Sequence, residues 1–211
     1  MSKTFKKIKE AFLNQAKVSG RKTNNPVAVA LIGVTGVGNS TIARELRRRL
    51  GWSIIEKNKI RVELREKRIG FNMQSTDEIA YAMLGKILKK GGNVILDSDF
   101  AESSKQRKLE RFARRFRARV VYLCLRCDED ITLERILHSR YNPKTDIFPS
   151  ATIAVREHLR RLPWHYRWSE ANGGSWVRRG LGINFLAEID TANSRQWKKK
   201  VRLASQKLRR L

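Results

Sequence analysis

The chain has 211 residues, 41% of them apolar, which suits one domain with a sizeable core. Lys and Arg number 46 against 20 Asp and Glu, a formal net charge of +26, and such a field draws polyanions at long range. No apolar run approaches the about 20 residues that span a bilayer, the polar N-terminus lacks a signal-peptide core, and two cysteines cannot build a disulfide framework. A soluble chain in the reducing cytoplasm is the expectation.

Residues 1–25 carry seven Lys/Arg and one acid, Glu10, and read as a basic N-terminal extension. Phe5, Ile8 and Phe12 recur there at helical spacing, so a short amphipathic helix is expected, and "TNNP" at 23–26 stops it. From Val27 apolar strands alternate with helices, the pattern of a mostly parallel sheet covered on both faces. "VAVALIG" at 27–33 is continuously apolar, as a buried parallel strand should be. A helix over 40–50, a strand at 52–56 and a charged helix over 59–68 follow. The next helix, 76–90, places Ile79, Met83, Ile87 and Leu88 on one side and ends at Gly91 and Gly92.

"NVILD" at 93–97 is the third strand. Residues 103–118 predict a helix with Leu109, Phe112, Ala113 and Phe116 inward and seven Lys/Arg around them. "RVVYLCLR" at 119–126 is the fourth strand. Helical segments over 128–140 and 150–161 flank "YNPKTDIFPS", which reads as a mobile connection. "INFLAEID" at 183–190 is the fifth strand. Ser194 caps a last helix in which Trp197, Val201, Ala204 and Leu208 line up. One domain over 26–193 is expected, with a lid at about 128–161 and a basic C-terminal helix, 194–211, packed on it.

Directly after the first strand comes "GVTGVGNST", residues 33–41. It fits the phosphate-loop pattern G-x-x-x-x-G-K-[ST] at Gly33, Gly38 and Ser40. Glycines admit positive φ and close backbone approach, so successive N–H groups converge on one anion. The next helix offers its N-terminus to the same anion. Gly33, Thr35, Gly36, Val37, Gly38, Asn39, Ser40 and Thr41 are therefore the candidate residues for ATP or GTP, and the Ser40 hydroxyl is a candidate Mg2+ ligand.

The lysine position holds Asn39. In the intact motif the ammonium offsets charge that moves between the β- and γ-phosphates, and its loss costs roughly 10²–10³ in rate. Three readings are open from the loop alone: natural loss of catalysis, a kinase whose lysine comes from elsewhere, or an engineered replacement.

With that loop, residues 27–193 resemble the small P-loop kinases grouped with zeta toxins, polynucleotide 5′-kinases and gluconate-type kinases. The later motifs that carry the resemblance are "NKIR" at 58–61, "ILDSDF" at 95–100, "DEDITLERILHSR" at 128–140 and "IDTAN" at 189–193. The resemblance implies a five-stranded parallel sheet of order 2-3-1-4-5, flanked by helices and topped by a helical lid. It places Asn58 where the family has the aspartate that takes the acceptor's proton, and an amide cannot do that. Arg61 would hold the substrate or its phosphate. Asp97 would join Ser40 at Mg2+, Arg135 and Arg140 would close on the transferred phosphoryl group, and the role of Asp99 is open. An exposed basic face is the other reading of the two lid arginines. Two asparagines at two such positions favour natural decay of catalysis.

Cys124 and Cys127 lack a second ligand pair for zinc, and core packing is expected for Cys124. His138, His158 and His165 have no metal-ligand spacing and read as surface or lid residues. Residues 163–180 interleave Trp164, Trp168 and Trp176 with arginines; packing is expected for two of these rings, and stacking on unpaired bases is the alternative. The basic preamble, the 103–118 helix and the tail together point to a polyanionic partner, RNA or a ribonucleoprotein. The leading expectation is a kinase-like nucleotide-binding protein with weak or lost catalysis and such a partner. An active Mg2+-dependent kinase acting on a small-molecule or nucleic-acid hydroxyl is one alternative, and an RNA-binding protein without nucleotide is another. Oligomeric state is not legible.

Overall fold

Six consecutive apolar residues, Val27–Ile32, form β1, and all six are buried. The computed structural model describes residues 2–69 and 73–211. In chain order the elements are α1 (Lys3–Gln15), β1, α2 (Asn39–Leu50), β2 (Ser53–Glu56), α3 (Lys57–Glu66), α4 (Met73–Lys89), β3 (Val94–Asp99) and α5 (Ser103–Arg114). Then come β4 (Arg119–Arg126), α6 (Glu129–His138), α7 (Ala151–His165), β5 (Tyr166–Ser169), β6 (Ser175–Arg178), β7 (Phe185–Asp190) and α8 (Ser194–Leu208).

Five strands form one sheet, β2-β3-β1-β4-β7, every neighbouring pair parallel. This is the expected order, with β7 as the fifth strand. The antiparallel hairpin β5–β6 stands outside the sheet and was not expected. Its strands have only four residues each and are mostly exposed, so they carry no apolar alternation to announce them.

The sheet alternation divides the core into two layers. Ala28, Ala30 and Ile32 of β1 join a cluster with Phe5 and Ile8 of α1, Leu64 of α3, Leu84 and Ile87 of α4 and Leu109 of α5. Val27, Val29 and Leu31 join the other, with Ile42 and Leu46 of α2 and Val201, Ala204 and Leu208 of α8. Each of the Val, Leu, Ile and Phe side chains contributes about 1.5–3 kcal/mol on full burial. The basic tail helix thus lies on the opposite face from α1 and α5. The three basic segments do not form one surface.

Two local departures shape the functional end. The β1–β3 register shifts between Ala30 and Leu31, which brings Asp99 opposite Leu31. The α7 helix runs on to His165, past Pro163. Pro163 sits in the last turn, so its missing N–H removes one ladder bond near a helix end. The connection before α7 contains a closed turn. Thr145 and Asp146 donate their N–H groups to the Asn142 carbonyl oxygen at 3.2 and 2.9 Å, and Asn142 N–H donates to Asp146 at 2.8 Å. No helix among the described residues is long and apolar enough to cross a membrane.

Candidate functional site

The chain leaves β1 at Ile32, turns through 33–38 and enters α2 at the carboxyl end of the sheet. Gly36 has φ +90°, and a Cβ there would lie 2.7 Å from Ile136 Cδ1 and 2.9 Å from Thr132 Cγ2. A side chain would therefore push the loop off α6. Gly38 is the N-cap of α2 with φ 101° and caps no N–H with a side chain. The first N–H groups of α2 face the loop without helical acceptors, the arrangement that binds anions. A cleft of about 260 Å3 opens there, lined by Gly33, Thr35, Gly36, Gly38 and residues 39–41, with Asn58, Arg61 and Asp97 across from them. Of the expected nucleotide residues, only Val37 turns away, 1% exposed in the core.

Asn39 points back into the loop. Its Nδ2 donates to the carbonyl oxygens of Gly33 at 2.7 Å and Val34 at 3.3 Å. Two carbonyl acceptors fix the amide orientation. Its Oδ1 is buried with no hydrogen-bond partner among the described residues. The side chain thus closes the loop from within and brings no charge to the cleft.

Ser40 and Asp97 both line the cleft. Burial pushes the Asp97 carboxyl above its usual range, and the neighbouring Ser40 hydroxyl works against the shift. A hydroxyl and a carboxylate at a phosphate loop fit Mg2+, which takes one or two protein oxygens and leaves its other positions to water and phosphate. No cluster of three His, Cys, Asp or Glu able to cage a metal exists among the described residues.

Arg61 Nη1 donates to Asn58 Oδ1 at 3.2 Å. No carboxylate lies within ion-pair distance of Arg61 among the described residues. Burial first, then the neighbouring Arg161 charge, lower its pKa from the usual guanidinium value. Arg161 of α7 also lines the cleft; it pairs with Glu157 at 2.5 Å and lies 3.8 Å from Asp99. Asp99 is fully engaged: Oδ1 accepts from the N–H groups of Gly33 at 3.3 Å and Ala101 at 3.1 Å, and Oδ2 meets His165 Nε2 at 3.0 Å.

The two lid arginines do not enter this cleft. Arg135 turns to the β7 end and donates to the Thr191 carbonyl oxygen at 2.7 Å. It lines a neighbouring cavity of about 400 Å3 with Gly38, Thr41 and Trp197. Arg140 follows α6 on the exposed surface.

Of the three histidines, expected on the surface or the lid, two are buried. His138 is exposed, but His158 and His165 are 0% and 7% exposed. Each is tolerated inside because it meets acceptors, His158 at both ring nitrogens and His165 through Nε2. His158 Nδ1 lies 2.7 Å from the Thr35 carbonyl oxygen and Nε2 lies 2.9 Å from Glu129 Oε2. Along with Arg161 and Phe148 of the cleft, these residues escaped sequence reasoning. The placement of His158, Arg161 and His165 on α7 at roughly helical intervals was the one available signal.

The tryptophans also differ from expectation. Trp164 is packed, with Lys105 and Arg160 over its ring at 5.1 and 5.5 Å. Trp168 and Trp176 are 52% and 42% exposed, edge to face on the hairpin at 5.4 Å. Cys124 is buried as expected, and burial pushes its thiol up to about 11.

A parallel 2-3-1-4-5 sheet with a glycine loop at its first strand and a helical cover defines the small P-loop kinase fold. A family model described as an AAA domain matches residues 29–163, more than half of the chain, and the chain belongs to that family. Among solved structures it is similar to a candidate kinase from Chloroflexus aurantiacus, at 15% identity and TM-score 0.60, over 88% of this chain and 98% of that one. A gluconokinase from Sinorhizobium meliloti matches at 18% identity and TM-score 0.50, over 90% and 94%. The APS kinase CysC of Mycobacterium tuberculosis, solved with AMPPNP and APS, matches at 13% identity and TM-score 0.53, over 88% and 96%. These likenesses show the fold. No curated protein matches the chain.

Proposed function

We propose that this protein binds a nucleoside triphosphate with Mg2+ at residues 33–41, transfers phosphoryl groups weakly or not at all, and works with an RNA or ribonucleoprotein partner. The observation that carries the reading is the inward Asn39 amide, which uses both donor contacts on the loop's own carbonyls. An ammonium at that position would face the β- and γ-phosphates. Asn58 likewise accepts from Arg61 and holds no carboxylate for an acceptor proton. Ser40 and Asp97 keep the metal side of the site in place, so ATP or GTP binding outlasts the chemistry. The net charge of +26 and the two exposed tryptophans support the polyanionic partner.

A second reading rests on Arg61 and Arg161, which both line the cleft. In it these guanidinium groups stand in for the lysine, and the protein is an active kinase whose acceptor is anionic. Equilibrium binding of labelled ATP and GTP, with and without Mg2+, tests the common ground. Phosphoryl transfer measured on the same samples separates the readings: binding without transfer supports the first, and transfer abolished by Arg161→Ala supports the second. Absence of nucleotide binding overturns both.

A further inference from the structure

On the second face of the sheet α2 and α8 lie against each other, and Arg209 Nη2 reaches the Arg49 carbonyl oxygen at 2.5 Å. Residues 194–211 hold eight Lys/Arg and no acid. The α2 helix adds four Arg and one acid, Glu45, which Arg48 and Arg49 already hold at 2.7 and 2.6 Å. Every cation of the tail is exposed, and none has a carboxylate within ion-pair distance among the described residues. Arg195, Lys198, Lys199 and Arg202 follow i, i+3, i+4, i+7 spacing and share one side of α8. Val201, Ala204 and Leu208, at 0–1% exposure, hold the other side against the core.

We propose that this two-helix face docks double-stranded nucleic acid through its phosphodiester backbone, without reading bases. The proposal rests on the polyanionic partner proposed above and gives that partner a surface and a form. A helix of 15 residues extends about 22 Å, and a duplex carries one charge per about 1.7 Å of axis, so several phosphates fall within reach. No ring projects from this face to stack on a base, because Trp197 packs on the core. An anionic membrane is the rival for the same charge. A helix that lies on lipid buries its apolar stripe there, but the α8 stripe is already inside the protein, and on the tail only Leu203 and Leu211 are exposed large apolar side chains.

The test is fluorescence anisotropy of the full chain on an RNA duplex of about 20 base pairs across a salt series. Arg195→Gln, Lys198→Gln, Lys199→Gln and Arg202→Gln combined should weaken binding at least tenfold and reduce the log–log salt slope by roughly 3. Lys6→Gln, Lys7→Gln, Arg107→Gln and Arg111→Gln, exposed on the opposite face, remove the same charge and should leave the slope nearly unchanged. Equal losses from both sets overturn the proposal, since the charge then acts without a surface. Tighter binding to phosphatidylserine vesicles than to duplex, lost with the same α8 changes, overturns it in favour of lipid. Binding of single-stranded RNA alone, unaffected by the α8 changes, overturns this surface while the RNA partner stands. Binding of neither nucleic acid removes both.

Discussion

His158 Nδ1 lies 2.7 Å from the carbonyl oxygen of Thr35, tying the phosphate loop to a side chain 123 positions later. The ring's other nitrogen meets Glu129 at 2.9 Å, so both nitrogens face acceptors. Only the imidazolium can donate from both.

The first prediction is a pH dependence with a definite sign. Burial alone lowers the His158 pKa, but the hydrogen bonds to Glu129 and Thr35 outweigh it and hold the value above 6.5. A raised folded value means that the stability is complete below pH 6.5 and is lost as pH rises through the folded value. Urea midpoints should therefore fall on the alkaline side of that value, and His158→Gln should flatten the fall. A His158 ring resonance that titrates below 6.5 would refute the imidazolium assignment.

Asn39→Lys should trade loop stability for affinity. It deletes the contacts to Gly33 and Val34, each worth about 0.5–1.5 kcal/mol, so the free protein should melt earlier. Nucleoside-triphosphate binding should tighten at least tenfold, about 1.4 kcal/mol. Calorimetry of the two proteins checks both, and unchanged affinity would mean that the loop presents no phosphate site.

For catalysis, Asn39→Lys with Asn58→Asp should transfer phosphoryl groups faster than either single change. The new carboxylate would sit against Arg61, which now bonds the amide oxygen at 3.2 Å. Asp97→Ala in that background should abolish the gain if Asp97 helps hold Mg2+. Transfer that survives it would remove Asp97 from the metal site.

Gly36→Ala should destabilise the chain by at least about 1 kcal/mol, because its Cβ would meet Ile136 at 2.7 Å on a backbone of φ +90°. Pairing it with Ile136→Val should restore part of the loss in thermal unfolding. No restoration would assign the cost to backbone strain and the remaining contact with Thr132.

Single-stranded RNA should discriminate among the tryptophans. Trp168→Ala should weaken it by about 1–3 kcal/mol, while Trp164→Ala should act on folding, since that ring is packed under Lys105 and Arg160. Equal binding by the wild type and Trp168→Ala would leave the exposed pair without a nucleic-acid role.

The sheet was legible because buried parallel strands are uninterrupted apolar runs and the loop between β1 and α2 is written in glycines. Leu109 and Val201 were equally readable from helical spacing. His158 and His165 were not, since a buried polar residue is allowed only by partners that lie far away in sequence, here Thr35, Glu129 and Asp99. Arg135 shared a lid segment with Arg140, and nothing local revealed that it bonds the backbone of residue 191. A truncation at residue 194 would strip Val201, Ala204 and Leu208 from the core, so charge substitutions are the cleaner probe.

One guanidinium gives the cleft a mechanical property. Arg65 of α3 donates to four main-chain oxygens of the turn before α7: those of Pro143 and Asp146 at 2.9 Å, Ile147 at 3.3 Å and Lys144 at 3.4 Å. The segment it grips carries Phe148 into the cleft, and α3 itself carries Asn58 and Arg61. Because four acceptors share one donor group, they are released together when that side chain swings away. The wall opposite the phosphates is therefore latched: it stays seated or lets go as a unit, and a ligand that reaches Arg61 meets a surface already clasped from behind.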